Sequence, residues 1–500
     1  MIFSRSILAR NLKPLIWIAA ACLIGVLAGT QQPSVAFVVI GGLVLVICAV
    51  ITPIAPLIAL LIIAPIRTLF ATESPVQIPL DFGQWLLIIT FAGWFAHRII
   101  FRRRLPRFTP SLIFGSVTVF TAAAAVSAFS AYSLGTWLTE FLKWAQILAL
   151  IVMIVDLTER RAWEWIIFGL VTAALVNAVL GVFQFFGGSG AEHLLINNSN
   201  FRAFGTFGQP NPFGGFMGLI APISAAAAIG YTMRAWNLYR ARRVLPYQLL
   251  TISLFYAFST VLLAAALLMS WGRGAWLAFG VSMLALAVAA PRKLWHGIGL
   301  VAAGVALIGL AWASGRLPAS IVDRISSATQ ETFSFADVRG VDITTTNYAL
   351  VERLAHWQAA LNMAAVYPYL GVGLGNYEIA YPEFRLMYWK YPLGHAHNYY
   401  LNVLAETGII GFSCYLVMWS GIFIATWNVS RRQPDPLARL IAAGFLGTWC
   451  YLAVHSLTDN LYVNNLFIHL GVILGITAAL APQRAYQRIG TKLSWGKSTQ

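Results

Sequence analysis

The chain has 500 residues, of which 59% are hydrophobic and only 10% are charged. Soluble proteins carry about 25% charged residues, so this composition excludes an ordinary soluble domain. The formal net charge is +16, which in a soluble protein would suggest a nucleic-acid partner. Here Lys and Arg lie mostly in short segments beside apolar stretches, as in cytoplasmic loops that contact anionic lipids. We therefore predict a membrane protein that contacts lipids and binds no nucleic acid.

Apolar blocks of about 17 to 25 residues, the length that crosses a bilayer as a helix, follow one another along the chain. Fourteen candidate spans can be delimited: 15–30, 34–50, 54–70, 82–100, 109–130, 136–156, 162–186, 212–231, 247–269, 274–290, 295–313, 399–427, 437–456 and 463–481. Only Thr52-Pro53 divides the second span from the third, which predicts a broken pair or a re-entrant hairpin. The fold class is an all-α polytopic integral membrane protein with about 12–14 transmembrane helices.

Basic residues alternate between the connecting segments. If the N-terminus lies inside, every inner connection is basic, whereas the outer loop 71–81 contains no Lys or Arg. Positive charge marks the cytoplasmic side of a membrane protein. Both termini are therefore predicted to be cytoplasmic.

Two predicted outer segments are long, and they suggest a division of the chain into four parts. The parts are the first transmembrane helices 1–314 with the outer loop 187–211, an extracytoplasmic segment 315–398, the final transmembrane helices 399–482 and a cytoplasmic tail 483–500. Within the extracytoplasmic segment, Leu350, Leu354, Trp357 and Leu361 recur at helical spacing. This periodicity predicts an amphipathic helix over 349–366, lying on the membrane or on the helical bundle.

Unusual polar residues gather on the predicted outer side. They are Lys143, Arg202, Arg273, Arg353, His395, His397 and the group His455, Asp459 and Asn460. Arginine captures phosphate oxygens in a bidentate manner, so several arginines at one membrane depth suggest a diphosphate ligand. An outer Arg is also often a snorkelling interfacial residue. The candidate diphosphate ligands are Arg202, Arg273 and Arg353. Arg273 is the strongest of them, because it lies between two glycines in a short turn and has little room to snorkel.

His397 is the candidate general base, because imidazole titrates near neutral pH and can take the proton of a hydroxyl that attacks. His395 and His397 could instead be structural residues or two metal ligands. No third His or Cys lies near them in sequence, and no Asp-x-Asp pair occurs among the outer carboxylates, so no metal is predicted.

Asn398, Asn402 and Glu406 follow the histidines at spacings of four residues, which places them on one helix face. Because burying such a stripe in lipid would cost several kcal/mol, we expect it to face the bundle interior or a wet cavity. The alternative is that the stripe only fixes helix packing. Gly408 and Gly411 then allow close packing.

The segment from His397-Asn398 through nine residues to Gly408 and then Gly411 resembles the motif H-[NSQ]-x9-G-x2-[GTY] of bacterial O-antigen ligases. This motif also marks O-antigen polymerases and protein O-oligosaccharyltransferases. Further segments are similar to those of the same superfamily: Thr206–Pro212, Trp271–Gly274 and Pro368–Asn376.

The resemblance implies a membrane enzyme with about twelve spans that transfers a glycan from undecaprenyl diphosphate to an acceptor hydroxyl, without a metal or other cofactor. It implies His397 as the catalytic base and outer arginines, best matched by Arg202 and Arg273, as diphosphate ligands. Arg353 is added from its position, and His395, Asn398, Glu406 and Lys143 are supporting candidates. The implied location is the bacterial inner membrane, with an extracytoplasmic active site and inversion at the sugar carbon.

Within this superfamily the acceptor stays open: lipid A core, another glycan chain or a protein side chain. A function from a different class, a transporter or lipid flippase, also fits many spans with buried polar residues. A transporter would place charges near the midplane and show two similar halves. Here the polar groups crowd one side and the halves differ, which favours the enzyme.

Overall fold

The computed structural model describes residues 33–66, 82–103, 105, 110–158, 161–188, 192–196, 199–316, 337–344 and 347–481. Within these residues it contains fifteen α-helices and one short antiparallel hairpin. The helices are α1 Pro33–Ile51, α2 Ile54–Ile63, α3 Phe82–His97, α4 Leu112–Val126, α5 Leu134–Leu157, α6 Ala162–Phe183, α7 Pro210–Arg242, α8 Tyr247–Met269, α9 Arg273–Ala289, α10 Leu294–Ala313, α11 Tyr348–Val366, α12 Tyr377–Phe384, α13 Tyr399–Arg432, α14 Pro436–His455 and α15 Leu466–Leu480. The strands are β1 Leu195–Ile196 and β2 Asn200–Phe201.

The all-α membrane class is confirmed. Nine helices of the described ranges are long and apolar enough to cross a membrane, and four shorter helices are also apolar. Thirteen of the fourteen predicted spans coincide with a helix. The first, 15–30, lies outside the residues that the structure describes.

The third predicted span is shorter than expected. It was predicted over 54–70, but α2 ends at Ile63 and is followed by a 3-10 turn, Ala64–Ile66. Pro53 precedes its first residue and separates it from α1. Ten residues of helix extend about 15 Å, half of a hydrocarbon core of about 30 Å. A helix of this length agrees with both predicted alternatives for this region, a broken pair or a re-entrant hairpin.

The C-terminal carbonyl groups of α2 are satisfied by side chains from distant segments. His469 Nε2 donates to the carbonyl of Leu61 at 2.9 Å. Asn465 Nδ2 donates to Ala64 at 3.3 Å, and Thr206 Oγ1 donates to Pro65 at 3.2 Å. A helix end inside hydrocarbon has no water to pair with its carbonyl groups. These side-chain donors therefore remove the free-energy cost of unpaired carbonyl groups where α2 ends early.

The centre of the bundle is formed by α7 and α14, and α10 lies at its rim. In the most apolar stretch of each helix, 89% of α7 and 83% of α14 is buried, against 6% of α10. α7 packs against α6, α8, α9 and α14. Gly218 leaves room for the ring of Tyr451, whose hydroxyl donates to the carbonyl of Gly214 at 3.0 Å. The exposed apolar surface of α10 then faces lipid.

The extramembrane segment contributes two helices to the described structure. The predicted amphipathic helix 349–366 is found as α11, whose apolar face is buried. The short helix α12 and the hairpin β1–β2 were not predicted. The parts of the segment at 317–336 and 345–346 lie outside the described residues.

Gly408 interrupts α13, because its backbone is non-helical with φ 61° and ψ −168°. A loop of the extramembrane segment fills the break. The amide of Ile409 donates to the carbonyl of Pro368 at 2.8 Å, and the amide of Val372 donates to the carbonyl of Ala405 at 3.0 Å. Residues 368–375, which we name the docking loop, are therefore tied to α13 through backbone groups.

The two glycines of the motif have different surroundings. A Cβ at Gly408 would lie 2.3 Å from the carbonyl carbon of Tyr369, so the docking loop requires glycine there. A Cβ at Gly411 would lie 2.2 Å from Thr407 Oγ1, one turn earlier on the same helix. The expectation that both glycines serve close packing between helices is therefore wrong: Gly408 meets a loop, and the three atoms nearest to a Cβ at Gly411 belong to Thr407 on the same helix.

We predict that Gly408→Ala destabilises the protein by about 1–3 kcal/mol, because alanine is strained at positive φ and its Cβ meets the docking loop. The measurement is the melting temperature of the purified protein in detergent. Gly309→Ala on α10 is the control, since nothing lies within 4 Å of a Cβ there. Equal melting temperatures for the two variants would contradict the assignment.

Candidate functional site

The site begins at the N-terminal end of α13. The Asn398 side chain caps this helix by accepting hydrogen bonds from the amides of Tyr400 at 3.1 Å and Leu401 at 3.2 Å. Asn402 Oδ1 accepts from the amide of Ala396 at 3.1 Å, which folds the preceding loop back on the helix. Asn398 and Asn402 are both buried, as the predicted stripe requires. Together they fix the turn that carries the two histidines.

The hydrogen bonds of His395 define its tautomer. Its Nδ1 accepts the backbone N–H of His397 at 3.0 Å, and its Nε2 lies 3.3 Å from Asp459 Oδ1. A neutral imidazole with an accepting Nδ1 carries its proton on Nε2, so His395 donates to the carboxylate. Asp459 also accepts from the amide of Asn460 at 2.8 Å.

His397 lies beside His395 and is only half-buried. The two ring centroids are 4.5 Å apart. Its Nδ1 is buried and has no hydrogen-bond partner in the described part of the chain. The backbone at His397 has a φ of 53°, a conformation that few non-glycine residues adopt and that often marks a functional site.

Burial lowers the pKa of His397 to about 3, with further lowering by His395, Arg353 and His356, while Asp459 acts to raise it. Burial also lowers the pKa of His395, and Arg353 acts in the same direction. Both rings are thus neutral at physiological pH. A neutral imidazole is the form that can accept a proton.

His356 and Tyr377 belong to the same cluster and were missed in the sequence. The His356 ring stacks on Tyr381 with centroids 4.8 Å apart and meets the His397 ring edge-on at 5.6 Å. His356 Nδ1 and the Tyr377 hydroxyl are 3.0 Å apart. The only available signal was the spacing of three residues between Arg353 and His356, which places both on one face of α11.

Arg353 supplies positive charge to this cluster. It lies on α11, and its charge acts on His395, His397 and His455. The structure therefore brings three of the predicted residues, Arg353, His395 and His397, to one place. Asp459 joins them from the turn after α14.

Arg202 and Arg273 meet at a second place, the turn between α8 and α9. Arg202 Nε donates to the carbonyl of Ser270 at 3.0 Å, and its NH2 group donates to Asn211 Oδ1 at 3.2 Å. Arg273 is the first residue of α9, directly after Gly272. These bonds hold the Arg202 guanidinium group against the turn that carries Arg273.

The turn between α8 and α9, which carries Arg273, adjoins the histidine cluster of His356, His395 and His397. The start of α9 connects the two. A Cβ at Gly274 would lie 2.2 Å from Thr458 Oγ1, so α9 approaches the residue next to Asp459 very closely. Asp459 is in turn the partner of His395. The two places are thus contiguous, with Thr458 and Asp459 between them.

Two supporting candidates have other partners. Lys143 pairs with Glu140 on α5. Glu406 is buried and accepts a hydrogen bond from the amide of Tyr377 at 3.2 Å, which fixes the start of α12. Glu406 therefore holds the docking loop and α12 in place, as the packing alternative for this residue foresaw.

One group in the described chain has the residue types for a metal site. The candidate ligand atoms of His395, His397 and Asp459 lie within 4.8 Å of one another. The expectation of no metal rested on sequence neighbours and did not consider Asp459 as their partner. The hydrogen bonds nevertheless argue for a proton-bearing cluster, because both nitrogens of His395 are occupied, one by an N–H donor and one by its own proton.

We predict that diethyl pyrocarbonate modifies His397 at pH 5 almost as fast as at pH 7. The reagent attacks neutral imidazole, and the lowered pKa of His397 keeps it neutral at pH 5, whereas an ordinary histidine with a pKa of about 6.5 is mostly protonated. Tandem mass spectrometry would measure the rate relative to a histidine peptide in the same tube. The modification rate of His397 divided by that of the peptide should rise roughly 20-fold from pH 7 to pH 5. A constant ratio would contradict the lowered pKa of His397.

Comparison with known families supports the resemblance drawn from the motifs. Residues 258–416 match the sequence model of the family described as O-antigen ligase, Wzy_C. The matched stretch runs from α8 to the first half of α13 and includes Arg273, Arg353 and both site histidines. The match covers less than half of the chain and shows a similarity of this stretch to the O-antigen ligase family. No curated protein matches the chain.

Proposed function

We propose that the protein is an O-antigen ligase-like glycosyltransferase that moves a glycan from undecaprenyl diphosphate to an acceptor hydroxyl, such as that of lipid A core. The reaction takes place at the outer face of a bacterial inner membrane, with both termini of the chain in the cytoplasm. The observation that carries this proposal is the half-buried His397, neutral and packed against His395 with ring centroids 4.5 Å apart, in the field of Arg353. The O-antigen ligase match covers both of these residues.

The proposed reaction is a single displacement. The acceptor hydroxyl oxygen attacks the anomeric carbon from the face opposite the diphosphate, and the bond between that carbon and the diphosphate oxygen breaks. His397 Nε2 takes the hydroxyl proton as the new bond forms, a contribution of roughly 10²–10⁴-fold. The sugar carbon is inverted, and the electron pair of the broken bond leaves on the diphosphate. No step requires a metal.

The arginines stabilise the departing diphosphate. Arg202 is already held by the carbonyl of Ser270 and by Asn211, so its guanidinium group needs little reorganisation when the donor binds. Arg273 and Arg353 approach from the starts of α9 and α11. Preorganised charge of this kind often supplies the largest part of catalysis.

Donor binding also activates the base. A free-enzyme pKa of about 3 guarantees the neutral form of His397 but makes it a weak base. The negative diphosphate opposes the positive field of Arg353 and therefore acts to raise the pKa of His397, while burial remains the largest cause of its lowered pKa. The ring is thus a stronger base in the complex with the donor than in the free protein.

His395, Asp459 and Asn398 position the base. Asp459 orients His395, and His395 Nδ1 holds the backbone amide of His397. Asn398 caps α13 and fixes the same turn from the other side. His395 and Asn398 thus act through His397.

We predict that His397→Ala and His397→Asn lower glycan transfer by at least about 10²-fold while donor binding is retained. Asparagine tolerates the left-handed backbone at this position, so it separates loss of the base from loss of folding. The assay uses protein reconstituted with a lipid-linked oligosaccharide and, in turn, lipid A core, a glycan chain and a protein acceptor. These arms also distinguish a ligase from a polymerase and from a protein oligosaccharyltransferase.

His296→Ala, at the exposed start of α10, is the matched control and should leave transfer unchanged. Unchanged transfer in His397→Asn would remove His397 from the mechanism. If no acceptor received glycan although the lipid-linked donor crossed the membrane, a flippase or transporter would replace the enzyme.

We predict that Arg273→Lys lowers kcat/KM for transfer roughly tenfold, because lysine keeps the charge but loses the bidentate geometry that fits phosphate oxygens. Expression and melting temperature should stay close to those of the native protein. Arg242→Lys, exposed at the opposite end of the bundle, is the control. Full activity of Arg273→Lys would contradict a role in diphosphate binding.

A further inference from the structure

A cavity of about 270 Å³ lies at the end of the bundle opposite the histidine cluster. It opens between the α9–α10 turn and the α13–α14 turn. Four arginines line it: Arg292, Arg431, Arg432 and Arg439. At 1.5 Å per residue, Arg431 lies on the order of 50 Å along α13 from His397, so this cavity is separate from the proposed active site.

Some N–H groups of these arginines donate hydrogen bonds to backbone carbonyls and so connect neighbouring helices. Arg431 donates to the carbonyls of Pro291 at 2.6 Å and Val288 at 3.2 Å, and Arg439 donates to the carbonyl of Ala290 at 2.7 Å. These carbonyls lie in the last turn of α9 or directly after it, where cations are stabilising. Helix capping therefore accounts for two of the four arginines, but only for some of their donors.

The remaining donors of these arginines have no acceptor among the residues that the structure describes. Arg439 is only 5% exposed, and its Nε has no hydrogen-bond partner within the described ranges. Arg292 and Arg432 are exposed at the mouth of the cavity. A buried guanidinium nitrogen without a partner is costly. The cavity thus has a buried donor without a partner in its wall and two exposed cations at its entrance.

The four arginines also lack a counter-charge in the described part of the chain. Two other arginines at this end of the bundle are paired: Arg161 lies 2.7 Å from Asp435, and Arg98 lies 2.7 Å from Asp156. No such ion pair reaches the arginines of the cavity. Like charges this close repel one another, and the repulsion is relieved when an anion enters.

We propose that this cavity binds a phosphate group, presented either by the headgroup of an anionic phospholipid or by free phosphate. Guanidinium groups match phosphate oxygens with bidentate geometry. Trp427 lies under Arg431 at 4.3 Å from ring centroid to guanidinium carbon, and tryptophan is typical of the membrane interface. Basic pockets between transmembrane helices at this depth are suited to anionic headgroups.

The test compares the full-length protein with Arg292→Gln/Arg432→Gln, a double variant at two exposed positions that hold no backbone carbonyl in the described structure. The control is Arg240→Gln/Arg242→Gln, which removes two exposed arginines from the same end of the bundle. Phosphatidylglycerol and phosphatidylcholine are each titrated into detergent-solubilised protein, and inorganic phosphate is titrated against chloride at equal ionic strength. The melting temperature reports binding.

The native protein and the control should be stabilised by phosphatidylglycerol, by inorganic phosphate or by both, and the apparent affinity of the double variant should be roughly tenfold weaker. A response to phosphatidylglycerol alone assigns the cavity to lipid, and a response to inorganic phosphate assigns it to the free anion. Equal responses of all three proteins to both probes, or no response to either, would overturn the proposal.

Discussion

The docking loop in the break of α13 is the contact on which the geometry of the site depends. The loop is held by backbone hydrogen bonds on both sides of Gly408, and Glu406 reaches from the same helix to the amide of Tyr377. These contacts decide where α12 lies, and α12 supplies Tyr377 and Tyr381 as partners of His356. A helix without this break would leave the extramembrane segment without its anchor beside His397.

The number of residues between His397 and Gly408 in the motif therefore has a structural reason. His397 stands just before α13 and Gly408 stands three turns into it, so one helix both presents the proposed base and receives the docking loop. α11 brings a positive charge and a third imidazole to the same point. Burial keeps these imidazole rings neutral, so Arg353 carries the permanent positive charge of this group.

The membrane helices were predictable because apolar length alone determines them, and α11 was predictable from its periodicity. The motif also led to His397 and, through it, to Asn398 and Gly408. The partnership of His395 with Asp459 was not accessible, since the two residues lie in different turns and only the packing of α13 against α14 brings them together. The early end of α2 was hidden by hydrophobic residues that continue beyond Ile63.

The short helix α2 has a consequence for biogenesis. Its terminal carbonyls find their hydrogen bonds on Asn465 and His469, which precede or begin the last helix of the bundle and are about 400 residues away along the chain. A ribosome delivers these donors long after α2 has entered the lipid. The hydrogen bonds that close this end of α2 can therefore form only after Asn465 and His469 have been synthesised.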